Sequence, residues 1–291
     1  MGRDLAEKYP PAKWWFDRAN AALGYDLAAI CFNGPDAELT KTEHAQPGIF
    51  LVSWVAFQLL KEQLPELEFH AAAGLSLGEF TALTAAGAMS FEDGLRIVRQ
   101  RGKFMQEACE TTKGGMAAII GLDEAPTREV CAEAGVVLAN LNCPGQLVIS
   151  GAEDKIIHAC DLAKARGARR AIPLPVAGAY HSPLMAGAQP KLLAELAKVK
   201  LGATTVPVIS NVNALPHGIA DRTISQLVEQ VTSSVLWESS MRLLLAQGFT
   251  RFIELGPGAA LSGFMKRIDK NVQMLNVADV ASLEAAVTAL A

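Results

Sequence analysis

Apolar positions run almost unbroken from Gly48 to Leu60 in "GIFLVSWVAFQLL", broken only by Ser53 and Gln58. A segment apolar on most faces predicts a buried helix. Pro47 suits its first turn and Pro65 its stop, so the helix is expected to end near Gln63. The run is too short to cross a bilayer. "EFHAAAG" then predicts a short buried strand ending at Gly74, and "LGEFTALTAAGA" a helix directly after it. Ser76 is thereby placed on a strand-to-helix corner. "SFED", from Ser90 to Asp93, has the form of a capping box and predicts a second helix. Along that helix Ile97, Arg101, Phe104 and Met105 recur at three- or four-residue intervals, so Arg101 is expected among apolar side chains.

From about Gly115 the rhythm changes. "MAAIIG", "APTREVCAEAG", "VVLANLN", "GQLVISG", "EDKIIHACDLAKARG" and "ARRAIPLP" read as βαββαβ, the order of a ferredoxin-like module. Alternation of strands and helices resumes afterwards with "VPVIS", a helix-rich stretch from Ile224 to Gln247, "RFIEL", the loop "GPGAA", and a last strand and helix from Val272 to Leu290. The expected architecture is α/β: a large domain of residues 1–113 and 178–291, with residues 114–177 inserted as the smaller module.

Composition narrows the function classes. A formal net charge of -4 over 291 residues argues against wholesale nucleic-acid binding, which needs a basic surface. Cys31, Cys109, Cys131, Cys143 and Cys160 are odd in number and contain no C-x-x-C pair, so neither a disulfide framework nor a zinc site is indicated and a cytoplasmic setting is expected. The N-terminal "MGRDLAEKYPP" is charged and helical in character, unlike a signal peptide. No membrane association is expected.

"GLSLGEF" raises the chemical question. A serine between two glycines at a strand-to-helix corner is either a packed turn or an exposed nucleophile, and the corner favours the nucleophile. A serine needs a base. His70 is placed inside the buried strand, His158 on an inserted helix, and His44 and His217 in polar loops. His181 lies in "VAGAYHSPLM", a small-residue loop at the seam of the inserted module, where clefts tend to form. Hydrogen bonding to backbone is the alternative for His181, and a structural ion pair is the alternative for Arg101.

The motifs "AGLSLGEFTAL", "RGKFMQEA", "NCPGQLVISG", "GAYHSPLM" and "ELGPGAALSGFMKRI" resemble, in order and spacing, the malonyl-CoA:acyl carrier protein transacylases of fatty acid synthesis. The likeness covers nearly the whole chain. It implies an α/β-hydrolase-like domain with a ferredoxin-like insertion. It also implies a ping-pong acyl transfer from malonyl-CoA through an ester on Ser76 to the phosphopantetheine thiol of an acyl carrier protein, with no cofactor and no metal. His181 would be the base, Leu77 N–H an oxyanion-hole donor, and Arg101 the bidentate partner of the malonyl carboxylate. Main-chain carbonyl oxygen around Leu236 would orient His181. Tyr180 matches the bulky position of malonyl-selective relatives, and Asn142 either approaches the site or forms a turn.

Two departures qualify the resemblance. Relatives usually carry His where this chain has Leu75. The family pattern also places a strand and a "GQGSQ" loop before "MGRDLAE", and that loop supplies a second oxyanion amide; one lost donor typically costs on the order of a hundredfold or more in turnover. The expectation is either an internal methionine of a longer gene product or a truncated, weak acyltransferase. An acidic carrier protein would dock on a basic patch, for which Lys164, Arg166, Arg169 and Arg170, or Lys266, Arg267 and Lys270, are candidates; a solvated face is the alternative for each. A monomer is expected. Rival functions are a serine hydrolase or thioesterase using the same Ser76 and His181, and a carrier-protein docking subunit.

Overall fold

The apolar run of the N-terminal third is helical in the computed structural model, which describes residues 1–291. It is preceded by α1 (Arg3–Lys8), α2 (Pro10–Leu23), α3 (Leu27–Asn33) and α4 (Asp36–Leu39) and forms α5 (Thr42–Gln63). Then come β1 (Ala72–Ala73), α6 (Leu77–Ala85), α7 (Phe91–Thr111), β2 (Gly114–Ile120), α8 (Glu124–Ala134) and β3 (Val137–Cys143). The chain continues through β4 (Gln146–Ala152), α9 (Glu153–Ala165), β5 (Arg170–Pro173), a 3-10 turn at Pro183–Ala188, α10 (Gln189–Leu196) and β6 (Val208–Ile209). It closes with α11 (Ala220–Glu229), α12 (Trp237–Ala246), β7 (Arg251–Leu255), α13 (Ala260–Ile268), β8 (Gln273–Val277) and α14 (Val280–Leu290). None of these helices is long and apolar enough to cross a membrane.

Two compact units divide the chain: residues 1–102, 199–208 and 247–291, and residues 103–198 and 209–246. In the first, α5 is buried over most of its length, with Phe50, Leu51, Val52 and Val55 fully enclosed. It starts at Thr42, a turn earlier than Pro47 suggested, and carries Pro47 inside the helix. Residues 91–102 of α7 approach it closely at two glycines. A Cβ on Gly102 would stand 2.4 Å from the Thr42 carbonyl oxygen, and one on Gly94 would stand 2.8 Å from the Phe50 ring. β7 and β8 pair in parallel from Arg251↔Gln273 to Leu255↔Val277.

The strand expected over "EFHAAAG" shrinks to two residues. Leu67 N–H donates to the Leu64 carbonyl at 3.0 Å and Lys61 Nζ to the Leu67 carbonyl at 2.6 Å, which commits the preceding backbone to the end of α5. His70 is accordingly not a buried strand residue: its side chain is 71% exposed. Ladder pairing begins only with Ala72 N–H to Pro207 O at 2.9 Å.

In the second unit, residues 114–173 follow the βαββαβ order that the pattern predicts. The sheet order is β3-β4-β2-β5, and every adjacent pair is antiparallel. Alternation sorts its side chains: Ala117, Ile119, Leu138 and Ile149 join the core that also holds Val130 and Cys131 of α8 and Ile156 of α9, while Met116, Ala139 and Val148 form a second cluster with Leu174 and Tyr180. This compact unit extends beyond 114–177 because the β3 edge is covered. Val235 N–H donates to Ala139 O at 2.8 Å and Leu141 N–H to Val235 O at 3.0 Å, tying the segment before α12 to the sheet.

Candidate active site

Ser76 sits where the chain has least room. A Cβ on Gly74 would lie 1.9 Å from the carbonyl carbon of Gly78, so only glycine allows the strand end and the helix start to meet there. Ser76 itself has φ 52, in the half of conformational space that favours glycine. Only two other non-glycine residues, His181 and Ala214, share a positive φ. Backbone strain of this kind clusters at functional sites, and here it falls on the two residues singled out from the sequence as nucleophile and base. A serine at a helix start ordinarily caps it, yet Ser76 makes no side-chain cap bond to α6. Its Oγ instead accepts a hydrogen bond from Arg101 Nη2 at 3.0 Å.

Arg101 is 2% exposed, and α7 holds it by the close pass at Gly102. Its Nη1 donates to Gln46 Oε1 at 2.7 Å, and its guanidinium carbon lies 5.5 Å from the centre of the Phe80 ring. Gln46 is on α5, one turn beyond the Thr42 carbonyl that Gly102 approaches. The sequence did not mark Gln46: a lone polar residue ahead of an apolar run has no distinguishing spacing. Leu77 is the first helical residue of α6, so its N–H has no acceptor within the helix and points into the region ahead of the helix start. The Leu75 carbonyl accepts from Gly78 N at 2.9 Å, which closes the corner.

The second unit carries His181, Tyr180 and Asn142. His181 is 4% exposed, and its Nδ1 lies 2.8 Å from the Gln230 carbonyl oxygen. A carbonyl oxygen only accepts, so Nδ1 carries the proton of that bond and, in the neutral ring, Nε2 keeps the lone pair of a general base. The orienting oxygen is therefore not that of Leu236, as the resemblance implied. Leu236 precedes α12, and its carbonyl accepts from Ser240 N and Oγ at 3.0 and 2.9 Å. A main-chain acceptor leaves no side-chain signature, which is why Gln230 escaped detection. Ser182 stiffens the His181 loop, donating from Oγ to Ala179 O at 2.6 Å. Tyr180 packs on the sheet cluster of Met116, Ala139 and Val148. Asn142 lies where the β3–β4 register shifts between Leu141 and Cys143; it is 5% exposed, and its Oδ1 has no hydrogen-bond partner. A bulge is a common device for aiming a side chain beside a site, and a buried acceptor without a donor calls for one.

The remaining histidines have other employment. His44 lies in the first turn of α5, not in a loop, with Nδ1 3.0 Å from the Glu38 carbonyl oxygen. His217 Nδ1 lies 3.0 Å from Gln226 Oε1, and His158 is exposed on α9. Of the basic candidates, Arg166 pairs with Glu129 and Glu133, and Lys164 with Asp161 at 3.4 Å. Arg169, Arg170, Lys266, Arg267 and Lys270 are exposed, with Lys266 and Arg267 in the last turn of α13. All five cysteines are free thiols and buried. Burial pushes Cys31 and Cys131 up to about 11, which keeps them protonated and unreactive at neutral pH.

Residues 1–286 match the family described as the acyl transferase domain. A Bacillus subtilis malonyl CoA-acyl carrier protein transacylase is 43% identical over 295 residues, spanning 100% of this chain and 92% of that protein. A Coxiella burnetii malonyl CoA-acyl carrier protein transacylase structure matches with a TM-score of 0.95 at 35% identity, covering 99% of this chain and 92% of that one. A malonyl-transacylase solved in complex with its type II polyketide-synthase acyl-carrier protein matches with a TM-score of 0.96 at 36% identity, covering 99% and 94% of the two chains. The serine corner, the strained histidine and the full-length likeness converge, and the chain belongs to the acyl transferase family, among its malonyl CoA-acyl carrier protein transacylases.

Proposed function

We propose that this acyltransferase moves malonyl from malonyl-CoA to the phosphopantetheine thiol of an acyl carrier protein, supplying fatty acid synthesis, and that Ser76, His181 and Arg101 carry the reaction. The observation that carries this reading is the 3.0 Å hydrogen bond from Arg101 Nη2 to Ser76 Oγ. A guanidinium fixed beside the nucleophile suits an acyl group with a free carboxylate, which it can grip through two parallel N–H donors.

In the proposed cycle Ser76 Oγ attacks the thioester carbonyl while His181 Nε2 takes its proton. The Leu77 N–H stabilises the oxyanion. The carbon–sulfur bond breaks, and the proton passes from His181 to the coenzyme A thiolate. In the second half the carrier thiol gives its proton to His181 and attacks the Ser76 ester, and Ser76 leaves with the proton returned. Side chains, the Leu77 amide, the Gln230 carbonyl that orients His181 and the two substrates take part. Tyr180 fills the space that a branched acyl group would need, favouring malonyl over methylmalonyl, and Asn142 Oδ1 accepts from an amide of the pantetheine arm. Leu75, beside the nucleophile, contributes an apolar wall.

The finer architecture is proposed as an α/β-hydrolase-like domain of residues 1–113 and 178–291 bearing a ferredoxin-like insertion at 114–177. An acidic carrier protein would dock through Arg169 and Arg170 or through Lys266, Arg267 and Lys270, with Arg166 and Lys164 contributing less because acidic neighbours pair with them. A monomer in the reducing cytoplasm fits the five free thiols.

The test is a transfer assay with radiolabelled malonyl-CoA and purified acyl carrier protein. The proposal expects label on the carrier protein with the wild type and none with Ser76→Ala. Release of free malonate as the main product, with no carrier labelling, would make the protein a thioesterase.

A further inference from the structure

The guanidinium of Arg101 has two ends, and they have different work. Nη2 faces the Ser76 hydroxyl at 3.0 Å, while Nη1 is anchored at 2.7 Å on Gln46 Oε1. Both anchor residues are enclosed, Gln46 being 8% and Arg101 2% exposed. We propose that Gln46 is a positioning residue that sets acyl specificity, holding Arg101 by a neutral acceptor that does not itself offset the guanidinium charge met by the carboxylate of the incoming acyl group. The proposal rests on the malonyl-transfer reading given above.

Two features of the geometry carry it. The first is placement. Gly102 lets α7 pass 2.4 Å, Cβ to oxygen, from the Thr42 carbonyl, so the residue before it on α7 meets the residue one turn further along α5. Arg101 has a long flexible stem, and its fork selects a planar carboxylate only if one edge is fixed. The second is the charge of the acceptor. An amide oxygen and a carboxylate oxygen at position 46 would both accept a hydrogen bond from Nη1 in the same geometry. Only the carboxylate would offset the guanidinium charge and compete with the substrate carboxylate for it. A merely structural anchor would accept either, and glutamate would bond the more strongly.

That asymmetry defines the test. Ser76 acylation by malonyl-CoA and by acetyl-CoA is followed in quenched reactions with the wild type, Gln46→Glu and Gln46→Leu, each checked by circular dichroism and thermal melting. Gln46→Glu is nearly isosteric and keeps the acceptor. Its malonyl-to-acetyl rate ratio is expected to fall about tenfold or more, with the loss in KM exceeding that in kcat. Gln46→Leu leaves Nη1 without its anchor and is expected to lower the ratio as well. A Glu or Leu protein that melts like the wild type and keeps the wild-type ratio would overturn the proposal; if Gln46→Glu fails to fold, the Leu protein decides. A wild type that is not acylated by malonyl-CoA at all overturns the underlying reading and this proposal together. Normal wild-type acylation with unchanged ratios sinks the role of Gln46 alone.

Discussion

Gly74 and Gly78 come together so tightly that any side chain on Gly74 would overlap Gly78 backbone, whereas a Cβ on Gly78 meets nothing within 4 Å. The two glycines of the same motif are therefore not equivalent. Gly74→Ala is expected to cost roughly 3 kcal/mol or more, or to abolish folding, because the obstacle is backbone that cannot rotate away. Gly78→Ala, in the first turn of α6, is expected to lose no stability. Chemical denaturation of the two variants beside the wild type checks this; equal destabilisation would contradict it.

Arg101→Lys keeps a positive charge but gives up the two-pronged donor. It is expected to lower kcat/KM for malonyl-CoA by about ten- to a hundredfold, while discrimination against acetyl-CoA weakens. Steady-state kinetics with both thioesters decides; a Lys protein with wild-type selectivity would mean that charge alone suffices.

The thiols should be silent in the native protein. With Cys31 and Cys131 pushed up to about 11 and all five sulfurs buried, a thiol reagent at pH 8 is expected to titrate fewer than one equivalent over minutes and five after denaturation. Rapid reaction of any native cysteine would show an opening of its unit that the structure does not display.

Asp279 caps α14, its carboxylate accepting from Ser282 N at 2.8 Å and from Ser282 Oγ at 2.6 Å. Those bonds hold its carboxyl below the usual value of 3.8. A depressed folded-state value contributes stability above the unfolded value and loses it as pH falls through the folded one. Asp279→Ala is thus expected to cost about 1 kcal/mol at pH 7, and the gap to the wild type should narrow as pH falls below the ordinary carboxyl value of 3.8. A gap independent of pH would assign the effect to something other than the ionised cap.

Much of this is legible in the sequence because the signals are local. The helix start at Ser90 forms where "SFED" places it, Asp93 N–H reaching Ser90 Oγ at 3.1 Å, and the βαββαβ alternation carries straight through to the sheet order. Ser76 was legible because a glycine pair around a serine at a corner is a statement about backbone space. What escaped depends on partners distant in sequence. Periodicity shows that "EFHAAAG" can be a strand but not how much of it finds a neighbour, so it puts His70 in a strand that the structure does not form there. Pro47 suits a helix start, which leaves His44 in a loop, although the first turn begins at Thr42. Gln46, 55 residues before Arg101, and the Gln230 carbonyl, 49 residues after His181, act through contacts that no spacing rule encodes.

The central claim is that Ser76 becomes covalently malonylated. Intact-mass spectrometry of acid-quenched protein after brief exposure to malonyl-CoA, followed by peptide mapping, measures that directly. The account predicts one malonyl group per chain, on the peptide containing Ser76, absent from Ser76→Ala, strongly reduced in His181→Ala, and removed when holo acyl carrier protein is added. A malonyl adduct on another residue, or carrier malonylation undiminished in Ser76→Ala, would contradict it.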